Sequence, residues 1–317
     1  MASTVAAELA TLRPQGMELF AVASRNAEQA RAFAARYGAV RSCADYSSLV
    51  NDPDVDLVYI ATPHALHHQN MLACIRAGKS VLCEKPFTIN ASEAREVIEA
   101  ARQRKVFVME AMWTRFLPAV SALKELLAAG AVGRVNLIVG GGAFMPDRDS
   151  GHYLFDKALG GGALLDAGVY LISMASMILG SPIRCQAFGT LGSTGVDEQD
   201  AILLEHAGGA HALLYVSLRA RRPPDLEILG DEGRIQVAAP IFRPAGLTIV
   251  APDGRQSAQD HPIDGSGYAY QLREASAAHC EGRLESSRMP LDETLSVMQT
   301  MDTLRRQIGL RYANEPA

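Results

Sequence analysis

Apolar and polar positions alternate along the first third of the chain in two periods. Short apolar runs at Met17–Ala23, Asp56–Ala61, Ser80–Cys83 and Val106–Glu110 read as strands. Between them, apolar residues recur with helical spacing over Ala27–Tyr37, Ala65–Ala77 and Ser92–Arg104. Asn90 or Ser92 is placed to cap the last of these, with Glu93 and Glu96 in its first turns. Strands separated by helices of about three turns predict a parallel sheet with right-handed crossovers. A helical pattern over Ala2–Leu12 precedes the first strand. That order matches the middle of a nucleotide-binding βαβ unit whose first strand and glycine loop would stand earlier.

The pattern changes after Trp113. A helix from about Leu117 to Ala129 leads to a strand at Arg134–Val139, a polar loop from Pro146 to Gly162 and a helix from about Ala163 to Leu179. Strand-like runs follow at Ile183–Leu191, Ala201–Glu205, Ala210–Arg219, Asp225–Leu229, Arg234–Val237 and Leu247–Val250. Gly208-Gly209 marks a hairpin between two of them. Helices return at Tyr268–Cys280 and Asp292–Ile308. The expected architecture is α/β over residues 1–113, then an α+β domain with an open, mostly antiparallel sheet over 114–317.

Composition narrows the function. The 317 residues carry a formal charge of −5 and no long basic run, which argues against a nucleic-acid partner. No continuous apolar run approaches the roughly 20 residues that span a bilayer, and no signal peptide is evident at the N-terminus, so no membrane association is expected. Five scattered cysteines without CxxC spacing fit buried free thiols in a reducing cytoplasm.

Four stretches carry chemistry. "VASRN" ends the strand that meets an adenosine ribose in dinucleotide-binding folds. Ser24 and Arg25 stand there instead of an acid, and an arginine suits the 2′-phosphate of NADP better than the bare hydroxyl of NAD. "YIATPHALHH" places Thr62 and Pro63 at the sheet's carboxyl edge. His64, His67 and His68 follow, and His64 or His67 is a better candidate for a polar substrate pocket than for a metal site, since no carboxylate or cysteine has ligand spacing. "CEKPF" holds Glu84 and Lys85, with Pro86 keeping Lys85 extended. "GGGALLDAGVY" sets Asp166 and Tyr170 four residues apart, on one face of a regular helix. Together Lys85, Asp166 and Tyr170 form an acid–base set: Tyr170 moves the substrate proton, Lys85 favours its phenolate, and Asp166 orients the lysine or the substrate. Two glycine runs, Gly140–Gly142 and Gly160–Gly162, lack the strand–loop–helix context of a phosphate loop.

With "VYIATPHALHHQ", "GKSVLCEKPFTIN", "MEAMWTRFLP" and "GGGALLDAGVYLI", the chain resembles the glucose-fructose oxidoreductase/inositol dehydrogenase family. Within it, "EAMWTRFLP" and "LFDKALGGGALLDAGVY" look most like the branch of NADP-dependent dihydrodiol dehydrogenases and D-xylose 1-dehydrogenases. The resemblance implies a Rossmann domain, an open-faced α/β domain that often forms a dimer or tetramer interface, and hydride transfer between a nicotinamide and a sugar, cyclic polyol or trans-dihydrodiol. It puts Lys85, Asp166 and Tyr170 at catalytic positions, with Glu84, Lys85, Thr62 and Pro63 toward the cofactor. His67, Trp113 and Arg115 fall near the pocket. Tyr153 stands where relatives often carry arginine. Against relatives, the first strand and the glycine loop are missing ahead of Met1. The chain is therefore expected either to begin at an internal methionine of a working enzyme or to be a shortened, non-catalytic binding module.

Overall fold

The computed structural model describes residues 1–147, 151–313 and 315. The chain runs through α1 (Ala2–Leu12), β1 (Ala21–Ala23), α2 (Ala27–Tyr37), β2 (Arg41–Cys43), α3 (Tyr46–Val50), β3 (Leu57–Ile60), α4 (His67–Arg76), β4 (Ser80–Glu84), α5 (Ala91–Arg104) and β5 (Val108–Ala111). Side-chain caps from Asn26, Asp45 and Asn90 fix where three of these helices begin. The Asn26 carboxamide oxygen accepts from the backbone N–H groups of Glu28 and Gln29, and that of Asn90 accepts from Glu93.

All five strands pair in parallel, but in two separate sheets: β1 with β2, and β3 with β4 and β5. A cavity of about 590 Å³ lies between them. Its walls include Ala21–Ala23 on one side, Leu57–Ile60 on the other, and Val5, Ala6 and Leu9 of α1. No described strand bridges β1 and β3. The predicted strand Met17–Ala23 is therefore paired only over Ala21–Ala23, because β2 is its single ladder partner. β2 itself, three residues reading Arg-Ser-Cys, has no apolar signal in the sequence.

The second domain contains α6 (Pro118–Ala128), β6 (Val135–Ala143), α7 (Val169–Leu179), β7 (Pro182–Leu191), β8 (Asp197–His206), β9 (His211–Ser217), β10 (Arg222–Gly230), β11 (Gly233–Val237), β12 (Gly246–Val250), β13 (Gln256–Asp260), α8 (Ala269–Cys280) and α9 (Leu291–Gln307). Eight strands form one sheet in the order β13-β12-β11-β10-β6-β9-β8-β7. Every pairing is antiparallel except β6 with β9. The glycine pair Gly208-Gly209 does turn β8 into β9, and the edge strand β13 is an addition to the predicted set. Gly141, in the run Gly140–Gly142 of β6, explains that run: a Cβ there would sit 2.3 Å from the Tyr215 ring. Residues 148–150 of the predicted loop lie outside the described residues.

One helical stretch, Lys157–Leu179, matches a membrane span in length and apolar composition alone. Most of it is buried inside the fold, as a core helix is. Its middle is a π turn at Leu164–Gly168, which the helical periodicity does not reveal. α8 and α9 return to the first domain. Ser80 Oγ lies 2.8 Å from His279 Nδ1, Asp302 accepts from the Ala91 N–H at 2.9 Å, and Thr294 donates to Glu110 at 3.0 Å. The β3–β5 sheet is thereby tied to the second domain at both ends, at Ser80 and at Glu110.

Candidate active site

Lys85 follows the buried strand β4 and reaches across to the π turn. Its Nζ donates to the Asp166 backbone carbonyl at 2.6 Å and to Asp166 Oδ1 at 3.0 Å. Burial is the largest single influence and opposes the lysine's charge, but Asp166, Tyr153 and Glu84 together raise the Lys85 pKa. Burial likewise works against the Asp166 charge, and Lys85, with help from His64 and Tyr153, still holds that carboxyl below its ordinary range. The pair is an ion pair with both partners almost sealed from water.

Tyr170 opens α7, one turn beyond Asp166, so the π turn and not a plain four-residue step relates the two. Trp113 Nε1 donates to Tyr170 Oη at 2.9 Å. Lys85 Nζ lies 4.8 Å from the centre of the Tyr170 ring, stacked on its face. Burial and the nearby Glu84 push the Tyr170 pKa well up, so the resting phenol is protonated. Lys85, over the ring face, stands where a cation favours the phenolate once the proton leaves.

An aromatic wall stands beside this set. Trp113 stacks on Tyr268 with centroids 4.5 Å apart, and Phe242 lies 6.5 Å from Trp113 and 6.0 Å from Tyr170. On another side, Tyr153 donates to Asp166 Oδ1 at 2.9 Å and meets the His64 ring edge to face at 5.8 Å. Neither Phe242 nor Tyr268 carries a motif that sequence reading could have used. Tyr153 was visible only as a departure from the family pattern.

Two expected pocket residues serve the frame instead. His67 is fully buried, its ring held between the carbonyl oxygens of Pro86 at 2.8 Å and Thr62 at 2.9 Å. Arg115 is buried too, donating to Ser173 Oγ, to the Ser173 carbonyl and to Glu293. A buried guanidinium must be paired, and these partners tie the Trp113–Phe116 turn to α7 and α9. His68 bonds Glu96 at 2.9 Å, so the three histidines face three different partners. No cluster of metal-ligating side chains occurs among the described residues. Glu110, unnoticed in the sequence, is buried beneath the Lys85 loop. It accepts from the Phe87 N–H and Thr294, and burial pushes its carboxyl up to about 7.

Three of the expected cofactor residues gather at one place on the sheet's carboxyl edge. Ser24, Thr62 and Pro63 line the 590 Å³ cavity, and Arg25 stands exposed just beyond β1. Glu84 ends β4, and burial raises its carboxyl pKa. Glu84 itself is buried against Tyr59, which donates to it. The cavity's lining stops short of Lys85, Asp166 and Tyr170.

Comparison with known proteins agrees with this geometry. Residues 2–112 match the model of the oxidoreductase family with an NAD-binding Rossmann fold, and residues 120–236 match the GFO/IDH/MocA C-terminal domain. A trans-1,2-dihydrobenzene-1,2-diol dehydrogenase of Bos taurus is 33% identical over 306 residues, covering 94% of this chain and 91% of that protein. A 3-ketoreductase from Actinomadura kijaniata, solved with NADP and TDP-benzene, superposes with a TM-score of 0.83 at 26% identity, covering 92% of this chain and 89% of that one. A levoglucosan dehydrogenase shares the fold at a TM-score of 0.88 and 23% identity, over 98% of this chain and 95% of its own. With a sealed lysine–aspartate pair and a tyrosine at the edge of a parallel sheet, the chain belongs to the Gfo/Idh/MocA family of NAD(P)-dependent oxidoreductases.

Proposed function

We propose that the protein transfers a hydride between NADP and the carbinol carbon of a cyclic vicinal diol, a trans-dihydrodiol in the first instance. The carrying observation is the Lys85–Asp166 pair set against the protonated Tyr170 beneath the Trp113, Phe242 and Tyr268 rings. Flat aromatic faces suit a ring's C–H surface, and the bovine relative is named for a trans-dihydrodiol. A bound nicotinamide would supply hydride acceptance or donation.

The chain's own residues handle the rest. Tyr170 Oη accepts from Trp113, which leaves its own proton for a substrate oxygen. In carbonyl reduction Tyr170 donates that proton, and in alcohol oxidation it must first lose it. Lys85 lies over the ring and lowers the cost of the anion that then forms. Asp166 keeps the lysine charged and aimed. Arg25 and Ser24 support NADP over NAD, since an acid to bond a free ribose hydroxyl is missing at that strand end. The five cysteines are free thiols, which supports a cytoplasmic setting.

A homo-oligomer, dimer or tetramer, is part of the reading. Val139, Leu213 and Leu203 stand side by side across β6, β9 and β8, each exposed, with Phe188 exposed on the neighbouring β7. Such an apolar row on an open sheet face suits a second copy.

Purified protein with NADP⁺ and trans-1,2-dihydrobenzene-1,2-diol should generate NADPH faster than with D-xylose, D-glucose or myo-inositol. A higher rate on D-xylose would select the aldose reading instead. One observation favours a second reading, a non-catalytic binding module: the cavity that separates β1 from β3. A folded chain that binds no NADPH and turns over none of the four substrates would select it.

A further inference from the structure

Tyr153 is not used by the chemistry above, yet its hydroxyl touches the central ion pair. It lies on a one-turn 3-10 segment, Tyr153–Phe155, with 38% of the residue exposed. Its single O–H proton goes to Asp166 Oδ1, the same oxygen that receives Lys85. Burial and the Asp166 charge push the phenol pKa up, so the proton stays on. What Tyr153 can offer an incoming ligand is therefore a lone pair.

His64 makes the same offer. Its Nδ1 lies 2.9 Å from the Gly160 carbonyl and must donate there. Burial holds the ring neutral, its pKa pulled down to about 4, so Nε2 carries a lone pair. Glycines allow the two rings to meet. A Cβ on Gly160 would lie 2.9 Å from the His64 Cβ, and one on Gly161 would lie 2.6 Å from the Tyr153 carbonyl oxygen. This wall thus presents two acceptors whose own protons are committed elsewhere.

We propose that Tyr153, paired with His64, reads a second hydroxyl: it accepts a hydrogen bond from the hydroxyl beside the carbinol that reacts at Tyr170, and so selects vicinal diols over mono-alcohols. A carbonyl, ether or methylene in that place brings no donor and leaves the two acceptors unpaired. This inference rests on the diol reading proposed above and adds the group that enforces it.

Trp113 is the chain's single tryptophan and donates to Tyr170, so its fluorescence reports binding at the site. The probes are trans-cyclohexane-1,2-diol and cyclohexanol, titrated in the presence of NADP⁺. The wild type should bind the diol about tenfold more tightly. Tyr153→Phe keeps the ring but loses the hydroxyl. It should weaken the diol by about five- to tenfold and the mono-alcohol by no more than about twofold, with KM for trans-1,2-dihydrobenzene-1,2-diol rising more than kcat falls. An unchanged diol preference in Tyr153→Phe would overturn the inference. So would equal weakening of both probes, which marks a merely structural role, and so would a wild type that does not distinguish them. A diol preference that vanishes in Tyr153→Phe, in a protein without turnover, would support the hydroxyl reader while refuting the oxidoreductase reading.

Discussion

The Lys85 end of the site and the Ser24 end are built differently, although both lie on the carboxyl edge of the same domain. At Lys85, strand β4 is buried on all five residues, the ion pair is nearly sealed, and elements from both domains close around it. At Ser24, strand β1 is three residues long, half-buried, paired on one side and bordered by a cavity on the other. The chemistry is thus held by tertiary packing, while the surface that would meet the adenosine end rests on a short two-stranded ladder. Stability and function should respond differently to changes at the two ends.

The largest effect should come from Lys85→Met. It removes the cation from beside Tyr170 and leaves Asp166 buried without its partner. Turnover should fall by about 10²–10⁴. Stability should drop by roughly 3–5 kcal/mol in urea titration. Near-normal turnover would dissolve the contrast between the two ends.

Next comes pH. Burial and Glu84 raise the Tyr170 pKa, so its base form appears only above the usual tyrosine range. Diol oxidation should therefore climb with pH through the alkaline limb, whereas carbonyl reduction, which uses the protonated phenol, should be level across neutral pH. The Tyr170→Phe variant should lose the alkaline rise together with about 10²-fold in rate. An alkaline rise that survives in Tyr170→Phe would remove Tyr170 from the proton path.

Glu110→Gln tests the frame under Lys85. The folded carboxyl titrates at about 7 against 4.5 for an ordinary glutamate. A raised carboxyl pKa means the folded state holds its proton more tightly, so the contribution is present at low pH and is lost as pH rises from about 4.5 to 7. The cost at full ionisation is about 3 kcal/mol. Relative to the wild type, Glu110→Gln should gain in Tm as pH is raised across that window. A constant difference would show that Glu110 titrates normally.

The smallest effect belongs to the weakly built end. Arg25→Ala should cut the preference for NADP over NAD by roughly tenfold with little change in Tm, because Arg25 is exposed. Measuring KM for both cofactors checks it, and an unchanged ratio would assign the 2′-phosphate to another group.

Much of this was legible in the residues. Of the two caps the pattern offered, Asn90 opens its helix; Gly208-Gly209 turns its hairpin, and Lys85 lies against both Asp166 and Tyr170. Other parts left no local trace. The β2 strand is held by pairing with β1 and not by its own Arg-Ser-Cys pattern. His67 and Arg115 carry polar groups that suit a pocket, and only their burial between carbonyls, Ser173 and Glu293 shows that they brace the frame.

The sequence by itself determined the alternation of strands and helices, the residues at strand ends and the family, because periodicity, caps and short motifs are local. Tertiary structure decided the upward direction of the Tyr170 pKa and the place of Tyr153 on Asp166. Those depend on desolvation and on partners far away in the chain, 81 residues in the case of Lys85 and Asp166, which no local pattern encodes.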